Sequence, residues 1–313
     1  MESLLLFRQN ILKKYITYER QIVTFGKFIL ILLALTNINI SVGTINILTN
    51  IFITVLIAIT LSILPNAVIV LLCMGLFSIH VLNFNIILGG VSVFIIVMVY
   101  LLYIRFYPKE SIFILITMVS TPIGLVYTVP IIGGLFFRMS IILPILIGII
   151  LNAIYTEIAS IVKLSAVEEI IQSVIEYFTK YFLTNETMIS QIVILSIVFI
   201  IVYLIKVQPF DYAMYVAVIT GGMINIVGYM GAILFFHVNS DLFSIFGMSM
   251  ISMLIAFCFI FMSVVLDYSK VEMVQFEDEK NYYYVKVIPK MEMNQNFNEV
   301  KGNYELNKRS IGK

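Results

Sequence analysis

The sequence predicts an all-α polytopic membrane protein: about eight transmembrane helices, a possible re-entrant hairpin, and a short cytosolic β-hairpin tail. Three observations predict it. Of the 313 residues, 61% are hydrophobic and only 12% are charged, whereas a soluble domain is about 45–50% apolar and about 25% charged. The mean hydropathy is +1.06, more than a soluble core can hide. The apolar residues also fall in runs near the ~20 residues that cross a bilayer core, separated by polar breaks.

The elements follow in chain order. Residues 1–27 form a basic, moderately amphipathic segment, with Arg8, Lys13, Lys14, Arg20 and Lys27 set against Glu2 and Glu19. It suits a helix on the inner membrane surface, or a solvated leader that carries the positive-inside signal. No cleavable leader is visible, so the apolar run after Lys27 is expected to be a retained first span. The transmembrane domain covers 28–267. Its first runs are 28–43, 47–64, 67–82 and 86–104, broken by Asn37, Asn39 and Gly43, by Pro65-Asn66, and by Asn83 and Asn85. Backbone groups cannot stay unpaired in lipid, so these breaks belong at interfaces or against other helices.

Four crossings bring Arg105 and Lys109 back to the side of the N-terminus. The next stretch, 111–138, is "SIFILITMVSTPIGLVYTVPIIGGLFFR". It is either one kinked span or two half-length helices folded about Thr121, Pro122 and Gly124. Proline stops a helix and glycine permits a reversal. Twenty-six residues in one helix would extend about 39 Å, longer than the ~30 Å core. A hairpin puts Arg138, Lys206 and the basic tail on the inner side, as their charge prefers.

Later spans fall at 139–154, 189–206, 212–236 and 243–266. Between them, 155–188 is expected to be an amphipathic helix, its stripe being Val167, Ile171, Val174, Phe178 and Tyr181. On the penultimate span Gly221, Asn225, Gly228 and Ala232 recur on one face. Small and amide side chains there favour close helix packing, within the bundle or in a homo-oligomer. The polar tail covers 268–313 and holds eight cations against seven acids. Within it Tyr282-Tyr283-Tyr284-Val285-Lys286-Val287-Ile288 alternates with the period of a strand, and 271–276 can pair with it. Tyr282, Tyr283, Tyr284 and Lys286 are the candidate residues for contact with a partner.

The tail segment "DYSKVEMVQFEDEKNYYYVKVIPK" (267–290) and the span segment "YLIKVQPFDYAMYVAVITGGMINIVG" (203–228) resemble uncharacterised bacterial multi-pass membrane proteins. The resemblance covers about a third of the chain. It implies an integral membrane protein with an inner-side tail, and it implies no activity.

Chemistry is sparse. No phosphate-binding loop, nucleophile elbow, zinc motif or Cys-x-x-Cys is present. Cys73 and Cys258 lie inside apolar runs, which excludes a disulfide framework. His80 and His237 stand at span ends, as does Glu157, and Asp211 suits a helix start. No basic cluster suggests nucleic acid, and no cofactor or metal is expected. Charge within the bilayer is the usual mark of ion-coupled carriers and none is evident, so a proton- or sodium-driven carrier is disfavoured. Two functional expectations remain. One is a non-enzymatic scaffold or subunit of an envelope complex, with a protein partner or a second copy. The alternative is a permease-like transporter of an apolar or lipid-like solute, its path lined by the broken helix. Ile- and Asn-rich composition suggests an AT-rich bacterial genome, so a bacterial cell membrane is expected, and the positive-inside bias puts both termini in the cytosol.

Overall fold

The structure is a computed structural model and describes residues 2–164, 184–236, 241–263, 272–277 and 282–287. It divides into two units, 19–258 and 1–18 with 259–313. Among the described residues, seven helices are long and apolar enough to cross a membrane. This is the architecture of a polytopic α-helical membrane protein. Many large apolar side chains face outward, as Phe52, Phe94, Leu234 and Phe243 do. A surface of this kind suits lipid tails rather than water.

The larger unit begins with α2 (Glu19–Ser41), α3 (Asn46–Thr49), α4 (Ile51–Ser62), α5 (Asn66–Phe84) and α6 (Ile86–Val99). A π turn over Tyr100–Ile104 extends α6. Sequence periodicity places one continuous run at 47–64, but the chain makes two pieces of it. Asn50 takes extended backbone there, and its side chain accepts from Phe52 N, so it ends α3 and caps α4. The twelve-residue α4 is only about 18 Å long. It lies antiparallel to α2. Asn39 Nδ2 donates to Leu48 O and Thr54 Oγ1, both at 3.1 Å, at one end, and Lys27 Nζ donates to Leu64 O at 3.3 Å at the other. Asn85 likewise caps α6, accepting from Ile87 N at 2.8 Å. The asparagines that interrupt the apolar runs thus pair the backbone groups that helix ends expose.

His80 is 1% exposed, near the end of α5. Its Nδ1 accepts from Ile45 N at 3.3 Å, while its carbonyl accepts from Thr44 Oγ1. The ring therefore ties the α2–α3 connection onto α5.

The stretch 111–138 forms two short helices, α7 (Ile112–Ile123) and α8 (Thr128–Phe136), joined by a 3-10 turn at Leu125–Tyr127. Pro122 sits in the last turn of α7, where its missing N–H deprives Met118 O of a helical donor. Gly124 follows at φ 80°, in the left-handed region. The two ends of the stretch then come together. The Phe113 and Phe137 rings meet edge to face at 4.9 Å. Glu110 Oε1 accepts from Ser140 Oγ at 3.0 Å. Asn66, Lys109, Glu110, Phe137, Arg138 and Lys206 line one shared recess. The chain reverses here and does not continue as one kinked rod.

The remaining helices of this unit are α9 (Ile142–Leu164), α10 (Glu186–Val207), α11 (Ala213–Phe236) and α12 (Leu242–Ser263), the last of these continuing into the smaller unit after Cys258. α9 does not stop at residue 154 as the run of polar residues suggests. Tyr155, Ile158, Ala159 and Ile161 are all buried and carry the helix onward. The rest of the amphipathic stretch, 165–183, lies outside the described residues, as does His237.

The smaller unit holds α1 (Glu2–Thr17), the end of α12, and strands β1 (Glu272–Glu277) and β2 (Tyr282–Val287). Arg8 is 8% exposed. Its Nε donates to Phe261 O at 2.8 Å and its second terminal nitrogen to Ser263 O at 3.5 Å. A cation thereby meets two backbone carbonyls in the last described turn of α12. β1 and β2 pair antiparallel, with Val274 opposite Val285 and Phe276 opposite Tyr283.

Candidate functional site

Four helices of the larger unit line a half-open cavity of about 280 Å³. α2 contributes Ala34, Asn37, Ile38 and Ser41, and α5 contributes Cys73, Met74 and Phe77. α7, the first half of the hairpin, adds Leu115, Met118 and Val119. α9 adds Asn152, Tyr155, Thr156, Ala159, Ser160 and Lys163. The walls differ in chemistry. α5 and α7 present apolar and sulfur-bearing side chains. α9 presents a polar stripe, because Asn152, Thr156, Ser160 and Lys163 recur every three or four residues on one helix face. Phe77 and Tyr155 stack with centroids 4.0 Å apart and planes 4° apart, which makes a flat aromatic wall. Thr156 Oγ1 donates to Asn152 O and Ser160 Oγ to Glu157 O, both at 2.7 Å. Their protons are used within the helix, and their oxygens remain able to accept.

A second polar cluster surrounds the hairpin turn. Asn225 on α11 is fully buried, and its Nδ2 points at Tyr127 O at 3.4 Å. One turn on, Tyr229 meets the Tyr127 ring edge to face at 4.8 Å. From α12, Ser252 Oγ accepts from Thr128 Oγ1 at 2.8 Å and itself donates to Met248 O at 2.8 Å. A Cβ built on Gly124 would lie 3.2 Å from Met248 Cε, so the turn is closely covered. Ser249, beside Met248, is fully buried. Among the described residues, Asn225 Oδ1, Tyr229 OH and Ser249 Oγ have no hydrogen-bond partner, and neither has Tyr155 OH at the cavity.

The residues that the sequence singles out fall in three places. Thr121, Pro122 and Gly124 form the end of α7 and the turn after it. The α11 face of Gly221, Asn225, Gly228 and Ala232 backs onto the same turn and onto α10. A Cβ at Gly221 would meet Val202 and Ile131, one at Gly228 would meet Ile194, and Ala232 is 4% exposed. These two sets therefore meet, through Asn225 and Tyr127. The tail residues lie in the other unit. Tyr282 and Tyr284 are 62% and 75% exposed, Tyr283 is less so, and Lys286 sits opposite Met273 in the register.

Sequence reasoning missed the cavity and the serines of α12. The signals were present: Asn152, Thr156 and Ser160 step by four, and Ser249 and Ser252 share a helix face. Hydroxyls on membrane helices so often bond their own backbone that neither pattern stands out. No group of three His, Cys, Asp or Glu gathers among the described residues.

Together these features define a polytopic α-helical membrane protein with a half-open cavity beside a broken helix. Neither the family models, nor the curated proteins, nor the solved structures include a match to the chain.

Proposed function

We propose that the protein is a permease-like membrane protein that binds a small amphipathic solute in the cavity between α2, α5, α7 and α9. One observation carries this reading: a pocket with an aromatic and apolar wall facing a polar stripe, one side of which is half of a helical hairpin. At about 280 Å³ it lies at the lower end of the ~300–1,000 Å³ range of small-molecule sites. That size and the polar stripe of α9 favour a compact solute over a whole lipid. Broken helices commonly mark solute paths in transporters, because irregular backbone survives in lipid only where protein or a cavity surrounds it. In this reading the hairpin enters from the cytosolic side of a bacterial cell membrane. Lys109, Arg138 and Lys206 share that side, and both termini lie there too.

Ala159 lies on the cavity wall and is 5% exposed. Replacing it with Phe fills the space from α9. Solute libraries screened against the purified protein should give ligands that raise its melting temperature, and Ala159→Phe should abolish that response. Uptake of such a ligand into liposomes should depend on the protein. If no small solute stabilises the wild type, the reading fails.

A scaffold role is the second reading, and the β1–β2 pair favours it. An isolated two-stranded hairpin is at best marginally stable in water, and the outer tyrosines of this one are open. A docking partner would complete it by covering that face. Deletion of 268–313 should then release a stoichiometric partner in mild detergent. If the protein purifies alone in both forms, this role fails.

A further inference from the structure

We propose that the open recess where the two ends of the hairpin meet binds an anionic phospholipid, its headgroup on the cations of the recess and the first carbons of its chains on the apolar wall. Three cations reach this recess from three separate parts of the chain. Lys109 comes from the segment before α7, Arg138 from the segment after α8, and Lys206 from the last turn of α10. The fold gathers them. Asn66 Nδ2 donates to Lys109 O at 2.9 Å, which ties that segment to the start of α5. Lys206 Nζ stands 3.5 Å from both Gly134 O and Phe137 O, at the end of α8. An ammonium carries three protons, so one remains for a ligand. Among the described residues, Glu110 is the one acid on the lining. Its oxygens already accept from Ser140 Oγ at 3.0 Å and from Tyr103 OH at 3.4 Å. The lining therefore carries three positive charges against one negative.

Charge and depth together select the ligand. The excess of cations calls for an anion, and Arg and Lys are the common partners of phosphate, Arg through paired N–H bonds. These cations stand at helix ends, and the rest of the lining runs inward from them. Ile112 and Ile116 are one turn apart at the start of α7, and Tyr203 and Val207 are one turn apart at the end of α10. Four residues of helix extend about 6 Å, so the charged mouth gives way to apolar and aromatic side chains within that depth. A free phosphate would use the mouth alone, whereas a phospholipid uses both parts. At about 760 Å³ the recess falls within the ~300–1,000 Å³ of small-molecule sites, which leaves room for a headgroup and the start of its chains. Basic pockets between membrane helices are an established setting for anionic headgroups. Cations that only orient a span need no common recess, and here three share one. The inference is independent of what the cavity between α2, α5, α7 and α9 holds.

The test uses the full-length chain in an uncharged detergent. Its thermal unfolding is recorded at one ionic strength with added phosphatidylglycerol, phosphatidylcholine or inorganic phosphate. Phosphatidylglycerol should raise the midpoint saturably by several degrees over phosphatidylcholine, since a ligand specific to the folded state stabilises it. Lys109→Gln and Arg138→Gln should each raise the half-saturating phosphatidylglycerol concentration about fivefold, the worth of one cation near a charged membrane surface. Both side chains are exposed, so these changes leave the packing intact. Lys13→Gln, on α1 and outside the recess, should leave that concentration unchanged. Ala159→Phe should leave it unchanged too, which separates this site from the solute cavity. Equal midpoints in the two lipids overturn the proposal. So does a phosphatidylglycerol shift that Lys109→Gln and Arg138→Gln weaken no more than Lys13→Gln does, because general attraction between charges would then explain it. A shift reproduced in full by inorganic phosphate also overturns it, because the apolar wall would then play no part.

Discussion

Gly124 offers a quantitative check on the chain reversal at the centre of the larger unit. Its backbone stands at φ 80° and ψ 1°. An L side chain in the left-handed region costs about 1–2 kcal/mol through the close approach of Cβ to carbonyl oxygen. Steric crowding adds little, because the nearest atom to a new Cβ is Met248 Cε at 3.2 Å, the far end of a flexible side chain. Gly124→Ala should therefore destabilise by about 1–2 kcal/mol. Gly75 in α5 is the control, since a Cβ there meets nothing within 4 Å and the backbone is helical. Gly75→Ala should be neutral or stabilise by up to ~1 kcal/mol. At roughly 2 °C per kcal/mol for a chain of this size, the two alanine variants should melt about 2–6 °C apart. The chain has no tryptophan, but Cys73 is buried and can report unfolding to a thiol-reactive dye once exposed Cys258 is replaced by serine. Coincident melting curves for Gly124→Ala and Gly75→Ala would refute the left-handed turn, and with it the hairpin.

Three further outcomes are expected. Cysteines placed singly at Lys109 and Arg138, in a background lacking Cys73 and Cys258, should be protected from or open to an impermeant thiol reagent together; opposite behaviour means the two positions lie on different membrane faces. Arg8→Met should lower the melting midpoint well beyond the exposed-site control Lys13→Met, because a charged hydrogen bond to a carbonyl contributes about 1.5–3 kcal/mol; equal midpoints would show that the contact with Phe261 O is immaterial. Gly148→Leu should be among the most damaging single changes, since even a Cβ there would lie 2.7 Å from Thr117 Cβ and 2.9 Å from Ile114 O, where backbone cannot yield; well-folded protein at wild-type yield would contradict the α7–α9 packing.

The reversal at Pro122 and Gly124 was legible because two breakers and two half-length apolar runs are local facts. The internal contacts of the Gly221–Ala232 face were half legible: spacing shows a face built for close approach but cannot name what approaches. Its neighbours, Val202, Ile194 and Tyr127, come from other elements. The split of 47–64 escaped notice because one asparagine in an otherwise largely apolar run does not by itself mark a break, and the break rests on the Asn50 backbone and its cap. The cavity was illegible for a different reason. Its stripe on α9 closes against α2 and α5, whose side chains come from far back in the sequence. A void belongs to no single segment, and periodicity describes segments one at a time.

The Arg8 contact bears on how the protein is made. Its acceptors, Phe261 O and Ser263 O, lie 253 and 255 positions further along the chain. At about 5–20 residues per second, a ribosome needs roughly 13–50 s to bridge that gap. Throughout that time the N-terminal helix has emerged, but the carbonyls its guanidinium will meet have not been synthesised. The smaller unit can close only after the final span has been delivered to the membrane. Arg8 thus makes synthesis past residue 263 a condition for this contact of the N-terminal helix, and a product truncated before residue 261 would carry that cation without its acceptors.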